Sequence, residues 1–146
     1  MGEPREPDER EQDERDGRNG RDERDGRRER GLEMMAKVYG FDVTDAPGEF
    51  FGITVDHLFA DIWTRPGLSM RDRRLLLLGL LAGQNLDDVL SLQIPAALDN
   101  GELTPAELRE IAIFLTHYVG WPIGSKLSVQ IDTLIAKHEK RKRNAD

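Results

Sequence analysis

Cysteine is absent from this chain of 146 residues. Without a thiol the protein cannot form a disulfide, reduce a peroxide through a cysteine pair or hold zinc through thiolates. Its histidines are distant in sequence and show no HxH or HxxxH spacing, so no metal site is predicted. Long apolar runs are also missing, because the longest, Leu75 to Leu81, is far too short to span a bilayer. The N-terminus lacks the apolar core of a signal peptide, so we expect a cytoplasmic protein without membrane binding.

The first thirty residues lack large apolar side chains. Between Gly2 and Gly31 there is no Val, Ile, Leu, Met, Phe, Trp or Tyr, and the sequence DERDGR occurs twice. Such a segment buries too little apolar surface to offset an ordering cost of ~1–2 kcal/mol per residue. We therefore predict a disordered, charged arm over 1–30, an ordered domain over 31–138 and a polar tail over 139–146.

The charge balance argues against a nucleic-acid partner. The arm carries twelve acidic residues and nine arginines, and the whole chain has a formal net charge of −7. The interleaved acids compete for the arginines, and neither the arm nor the remaining chain is basic overall. The arm is then either a solubilising segment or a docking segment whose arginines contact a phosphate or carboxylate.

The remaining chain is predicted to be all-α, with roughly six helices, because apolar residues recur at helical spacing and no sustained strand alternation occurs. Ser69 with Asp72, and Thr104 with Glu107, resemble capping boxes. Pro95 is expected to kink the helix that contains it. The predicted helices cover 32–39, 50–63, 69–83, 85–99 with Asn85 as the cap, 104–120, and a last segment from Pro122.

Three stretches carry a resemblance to a known family. They are WTRPGLSMRDRRL (63–75), AALDNGELTPAELREI (96–111) and YVGWP (118–122). In this order and spacing they resemble the carboxymuconolactone decarboxylase family over roughly residues 50–136. The resemblance implies an all-helical subunit of the alkylhydroperoxidase D-like fold that assembles as a homo-oligomer, a trimer or hexamer. It also implies loss of carbon dioxide from a carboxylated lactone of aromatic-compound catabolism, without metal or organic cofactor.

The chain departs from the family at its polar positions. A sister branch reduces peroxides through a CxxC pair and a histidine, and here those positions hold Leu86, Val89 and Gln93. The decarboxylase branch places Glu and His on the same helix, where this chain has Val89 and Gln93. Phe114 stands one turn before the YxGxP tyrosine, where a polar residue is common. Peroxidase activity through thiols is therefore not expected.

Two groups of arginines are candidates for holding a substrate carboxylate. Arg65 follows Trp63 beside a Pro-Gly turn, and either packs on the indole or anchors a carboxylate through its planar donors. Arg71, Arg73 and Arg74 open the third helix, where cations oppose the helix dipole. They therefore require acids of a neighbouring helix or subunit, or a bound anion, and we expect Arg73 to face inward.

Uncharged and titratable side chains supply the remaining candidates. Gln93 lies on an apolar stripe and is either a core amide bonded to a backbone carbonyl or a donor that polarises a ligand carbonyl. Tyr118 is either a core aromatic or a pocket hydroxyl. His57 and His117 are either neutral core or interface histidines or general acid–base groups. His138 is assigned to the polar tail.

The sequence is compatible with two functions. In the first, the protein is a cofactor-free lyase for a small carboxylated cyclic metabolite. Arg65 or Arg73, with Trp63, would bind the substrate; Gln93 and Tyr118 would contact its carbonyl, and His117 or His57 would move the proton. In the second, the protein is a non-catalytic oligomeric binding protein on the same scaffold. An open cavity lined by Arg and His favours the first, and a closed apolar space around Gln93 favours the second.

Overall fold

The computed structural model describes residues 9–146, and what the sequence predicts for residues 1–8 lies outside them. The described chain is all-α and contains no strand. None of the helices found in this part of the chain is long and apolar enough to cross a bilayer. The helices are α1 (Glu9–Tyr39), α2 (Glu49–Ile53), a π-helix (Thr54–Ile62), α3 (Met70–Gly83), α4 (Asp87–Asp99), α5 (Pro105–Val119) and α6 (Trp121–Ala145).

Two apolar clusters form the core. The larger one joins α3, α4, α5 and α6, and the smaller one joins α1 to the π-helix through Met35, Val38, Val55 and Phe59. The buried residues of the smaller cluster are spaced three or four apart along each helix, which places them on one face. The buried members of the larger cluster include Leu78, Leu81, Leu90, Ile94, Leu108, Leu127, Ile131 and Ile135.

Local capping signals fix the starts of two helices. The Ser69 side chain accepts a hydrogen bond from the Asp72 amide and begins α3. Thr104 and Glu107 form a complete capping box at the start of α5, with Pro105 at the first helical position. Gly120, with φ of 93°, separates α5 from α6 in a backbone conformation that favours glycine. These three boundaries agree with the sequence predictions.

Asn85 lies at the end of α3. The sequence predicts Asn85 as the N-cap of α4, and this prediction is wrong. It has φ of 56°, and its amide donates to the Ala82 carbonyl, while the Leu86 amide donates to the Leu81 carbonyl at 2.9 Å. This pair of bonds closes α3 in the manner of a Schellman motif, whose left-handed position Asn tolerates. The N-cap of α4 is Leu86.

Residues 9–30, which the sequence predicts to be disordered, belong to α1. Charged pairs replace apolar packing along this segment: Arg18 lies 3.5 Å from Glu14, one helical turn away. Farther along, Arg27 contacts Asp61 at 3.3 Å, across to the π-helix. The composition of this segment indicates its missing apolar surface but not these charged partners.

The polar tail predicted for 139–146 also continues as helix, because α6 runs to Ala145. His138 is buried and its Nδ1 lies 2.9 Å from Asp99 Oδ1. Its position explains the burial, since His138 follows Ile131 and Ile135 on the same apolar stripe of α6.

Candidate active site

A fully buried arginine lies at the junction of α1, α3 and α4. The guanidinium of Arg74 donates from Nε to Glu102 Oε2 at 2.7 Å and from Nη2 to Glu102 Oε1 at 3.2 Å. It also donates from Nη1 to the Val38 carbonyl at 2.7 Å and to the side-chain oxygen of Gln93. A buried charge requires such partners, and the bidentate contact with the Glu102 carboxylate is the strongest of them. We call Arg74, Gln93 and Glu102 the arginine cluster.

The arginine cluster closes the C-terminal end of α1. The last carbonyls of a helix have no partner within it. Here the Val38 carbonyl accepts from Arg74, and the Lys37 carbonyl accepts from Asn100 Nδ2 at 2.7 Å. Asn100 also donates to Glu102 Oε1 at 3.1 Å. A positive charge at this end of α1 is also favoured by the helix dipole.

An open apolar cleft lies beside the arginine cluster. It has a volume of about 280 Å³, and we call it the Trp63 cleft. The Trp63 ring lines this cleft and also contacts the arginine cluster, because its centroid is 5.9 Å from the guanidinium carbon of Arg74. The cleft is lined by Ile62, Trp63, Arg73, Leu76, Leu77 and Leu80.

Aromatic stacking holds Trp63 in place. Trp63 stacks on Phe59 with ring centroids 6.4 Å apart, and Phe59 in turn meets the edge of Tyr39 at 5.5 Å. Burial raises the pKa of the Tyr39 phenol, so this group stays neutral. The wall of the cleft is thus supported by α1 as well as by the π-helix.

Arg73 supplies the charge of the Trp63 cleft. The sequence predicts that Arg73 faces inward, but the inward-facing arginine is its neighbour. The buried member of this run is Arg74, which lies four residues before Leu78 on the apolar face of α3. Arg73 is half-buried at the rim, and its guanidinium donates to the carbonyls of Leu68 and Arg65, the latter at 2.8 Å. The spacing of Arg74 from Leu78 was the sequence signal that could have identified the buried arginine.

The seven side chains predicted for the site do not converge in one chain. Trp63 and Arg73 line the Trp63 cleft, and Gln93 is linked to Trp63 through Arg74. Gln93 is buried, and its side-chain oxygen accepts a hydrogen bond from Arg74. The exposed Arg65 side chain lies in the loop that Arg73 holds. Their roles in binding and catalysis stay predictions.

The predicted histidines and tyrosine lie elsewhere. His57 is exposed on the π-helix, where its Nδ1 is 3.5 Å from Asp61 Oδ2. Tyr118 is 78% exposed and packs against Phe114. His117 hydrogen-bonds through Nδ1 to the Ile113 carbonyl at 2.8 Å and lines a second cleft of about 380 Å³ between α5 and α6.

Sequence reasoning did not identify Glu102 as part of the site. It stands twenty-eight residues after Arg74, in the turn between α4 and α5, and its side chain is almost completely buried. Nothing in the local sequence indicates that this turn folds back onto α3.

Among the described residues, no group of three or more His, Asp or Glu side chains is arranged to hold a metal ion. The Trp63 cleft offers a different chemistry. The guanidinium of its lining residue Arg73 can pair with a carboxylate, and the indole and leucine walls can exclude water from the body of a small ligand.

Comparison with known sequences identifies the family to which this helical chain belongs. The sequence model of the carboxymuconolactone decarboxylase family matches residues 48–125, more than half of the chain. The chain therefore belongs to the carboxymuconolactone decarboxylase family.

Two similar proteins are named decarboxylases. The chain is 27% identical over 104 residues to a 4-carboxymuconolactone decarboxylase of Acinetobacter baylyi, covering 66% of this chain and 77% of that protein. It is 41% identical over 61 residues to a nitrosuccinic acid decarboxylase of Metarhizium robertsii. That second match covers 42% of each chain.

Proposed function

We propose that this protein is a cofactor-free decarboxylase that acts on a small carboxylated cyclic metabolite, such as a carboxylated lactone of aromatic catabolism. The observation that carries the proposal is the Trp63 cleft, an apolar space of about 280 Å³ with Arg73 as the one charged residue among the described residues that line it. Membership of the family and the names of the two similar proteins support the same reaction class.

The chemistry requires a substrate that can accept an electron pair. When the bond to the carboxylate breaks, carbon dioxide leaves and the electron pair passes to the carbon that held it. A lactone carbonyl or a nitro group conjugated with that carbon delocalises the pair onto oxygen, and a proton then replaces the lost carboxylate. Substrates named for the two similar proteins, a carboxymuconolactone and nitrosuccinic acid, contain such groups. No metal or organic cofactor is needed for this sequence of steps.

Arg73 would bind the carboxylate that the substrate retains, and the cleft walls would bind its body. A guanidinium has five N–H donors, and the two backbone carbonyls that Arg73 contacts leave donors for a ligand. Trp63 and the leucines would replace water around the reacting carbon. Low polarity favours carbon dioxide loss, because charge concentrated on the carboxylate becomes dispersed in the transition state.

None of the side chains that line the Trp63 cleft is a candidate for the proton donor. His57, His117 and Tyr118 do not line it in their own chain. Any of the three would act there from a neighbouring subunit, and water would otherwise supply the proton. We propose the subunit route for His117, because it also lines a cleft and its Nδ1 bond to Ile113 leaves Nε2 available.

A non-catalytic binding function is the second candidate. The observation that favours it is the closed packing at Gln93, where the decarboxylase branch carries a histidine. Gln93 is 2% exposed and Arg74 is 0% exposed, so neither reaches the solvent-filled part of the cleft. In this function the Trp63 cleft would bind a carboxylate without converting it.

Carboxylate conversion and carboxylate binding should be measured side by side. Carbon dioxide release from 4-carboxymuconolactone and nitrosuccinic acid reports catalysis, and calorimetry with the same compounds reports binding. We expect Arg73→Ala to lower kcat/KM by about 10- to 100-fold, because a hydrogen bond to a charged group contributes ~1.5–3 kcal/mol. Arg73→Lys should retain part of the activity, since it keeps the charge and loses the planar donors.

Arg109→Ala is the matched control. Arg109 contacts Asp132 on the surface of α5 and α6, and does not line the Trp63 cleft. Binding without carbon dioxide release would favour the non-catalytic function. Equal activity in Arg73→Ala and Arg109→Ala would contradict the assignment of the site.

A further inference from the structure

Helix α1 lies outside the residues that the family model matches, yet it packs on the helix that leads into the Trp63 cleft. The family match begins at residue 48, and α1 ends at Tyr39. At Gly31 the two backbones approach so closely that a Cβ atom would lie 2.7 Å from Val55 Cγ1 and would overlap the Val55 carbonyl. An element outside the family match thus contacts the π-helix directly.

Arg28 forms the polar part of this contact. Its Nη2 donates to Asp56 Oδ2 at 2.9 Å, and its Nε lies 2.9 Å from Asp56 Oδ1. Its Nη1 donates to Asp45 Oδ1 at 3.2 Å, in the loop between α1 and α2. The Arg28 side chain is 28% exposed, so these contacts are less screened than those of a free surface arginine. One guanidinium therefore joins α1, the following loop and the π-helix.

The π-helix transmits this contact to the cleft. It ends at Ile62, Trp63 is its C-cap, and the Trp63 amide donates to the Leu58 carbonyl at 3.0 Å. Ile62 and Trp63 are both lining residues of the Trp63 cleft. A nine-residue π-helix is rare because its hydrogen-bond geometry is less favourable than that of an α-helix, so it depends on tertiary contacts to persist.

We propose that Arg28 is a positioning residue for the Trp63 cleft. Through Asp56 it holds the π-helix in place, and the π-helix sets the position of the Trp63 indole against Phe59 and Arg74. Arg28 touches no ligand in this scheme. The inference rests on the proposed function for its effect on turnover, but its effect on Trp63 is independent of any reaction.

The position of Trp63 is measured by fluorescence in a Trp121→Phe background, which leaves Trp63 as the single tryptophan. We expect Arg28→Ala and Asp56→Asn each to raise the acrylamide quenching constant by about twofold, because a loosened π-helix opens locally and exposes the indole. Arg28→Lys should restore most of the protection. The double variant should show less than the sum of the two single effects, since both remove one interaction.

Arg18→Ala is the matched control, because Arg18 lies on the same helix and pairs with Glu14 on the exposed surface. Quenching in Arg28→Ala and Asp56→Asn equal to that in Arg18→Ala would overturn the proposal. Should Arg28→Ala fail to fold by circular dichroism, Asp56→Asn decides, because it keeps the volume of the side chain.

Measurements of turnover in Arg28→Ala and Arg73→Ala test the role of Arg28 and the proposed function separately. Loss of Trp63 positioning weakens binding of the substrate body and leaves Arg73 in place. We therefore expect Arg28→Ala to lower kcat/KM by about three- to tenfold, because a displaced indole weakens binding of the substrate body and admits water to the reacting carbon. If Arg73→Ala has no effect on turnover, the proposed function fails, whereas the quenching result still decides the role of Arg28.

Discussion

At the scale of single residues, the defining feature is a buried charge with a complete set of partners. Arg74 contacts a carboxylate, an amide oxygen and a helix carbonyl. Each partner comes from a different part of the chain: the turn after α4, α4 itself and the end of α1. The charge therefore fixes the relative positions of these elements, and removing any partner leaves part of the guanidinium without compensation.

Glu102→Gln tests the energetic role of this cluster. The substitution keeps the volume and removes the negative charge, so Arg74 stays buried without its counter-ion. We expect the free energy of unfolding to fall by about 3–5 kcal/mol, as for other buried pairs that lose one member. Urea denaturation followed by circular dichroism measures the change.

The control for this prediction is Asp132→Asn. Asp132 pairs with Arg109 at 2.9 Å, but both side chains are more than half exposed. Solvent screening limits such pairs to about 0–1 kcal/mol. A loss in Glu102→Gln no larger than in Asp132→Asn would show that the cluster contributes little to stability.

At the scale of elements, α1 contains two kinds of contact. Its N-terminal part has charged, exposed side chains, and its C-terminal part packs on the π-helix and on α4. Gly31 marks the beginning of the packed part, where the backbone of the π-helix leaves no space for a side chain. Gly17 lies on the exposed part of the same helix and has no atom near a potential Cβ.

Gly31→Ala and Gly17→Ala should therefore have opposite effects. At Gly31 the added methyl group overlaps the backbone of Val55, which cannot move away as a flexible side chain can, so we expect a loss of about 1–3 kcal/mol. At Gly17 the alanine favours the helix by about 0.5–1 kcal/mol. Thermal and urea unfolding of both variants measure the difference. Stabilisation by Gly31→Ala would show that α1 does not pack on the π-helix in solution.

At the scale of the whole molecule, many large apolar side chains remain on the surface of the single chain. Phe50, Phe114, Tyr118 and Trp121 are each at least 60% exposed. Aromatic residues of this kind are enriched at interfaces between subunits. We propose that the protein is a homo-oligomer, a trimer or hexamer, whose interfaces cover these residues.

Light scattering on the full chain and on two truncated chains tests the assembly and the role of the arm. Deletion of residues 1–26 retains Arg27 and Arg28, so we expect the oligomer mass and the melting temperature to stay nearly unchanged. Deletion of residues 1–30 removes both contacts with the π-helix and should lower the melting temperature by about 2–8 °C, equivalent to roughly 1 kcal/mol.

A monomeric mass for the full chain would contradict the oligomer. Dissociation on removal of residues 1–26 would show that the exposed part of the arm takes part in assembly. Equal melting temperatures for the two truncated chains would show that Arg27 and Arg28 do not stabilise the protein.

The sequence alone determined the features that depend on neighbouring residues. The all-α class, the caps at Ser69 and Thr104 and the end of α5 at Gly120 follow from signals within about four positions, the reach of a helical turn. Three characteristic stretches were enough to predict the family, which the comparison confirmed. The lack of cysteine excludes thiol chemistry whatever the fold.

Only the tertiary structure decided which polar groups are buried together. Arg74 and Glu102 are twenty-eight residues apart, and Arg28 and Asp56 are equally distant. Pairing at this separation depends on how the helices pack, which neither the spacing of Arg73 nor the composition of residues 1–30 shows. The predicted site also grouped His117 with Trp63, which line different clefts. Helical periodicity shows which face of an element is apolar, but packing alone determines which element covers that face.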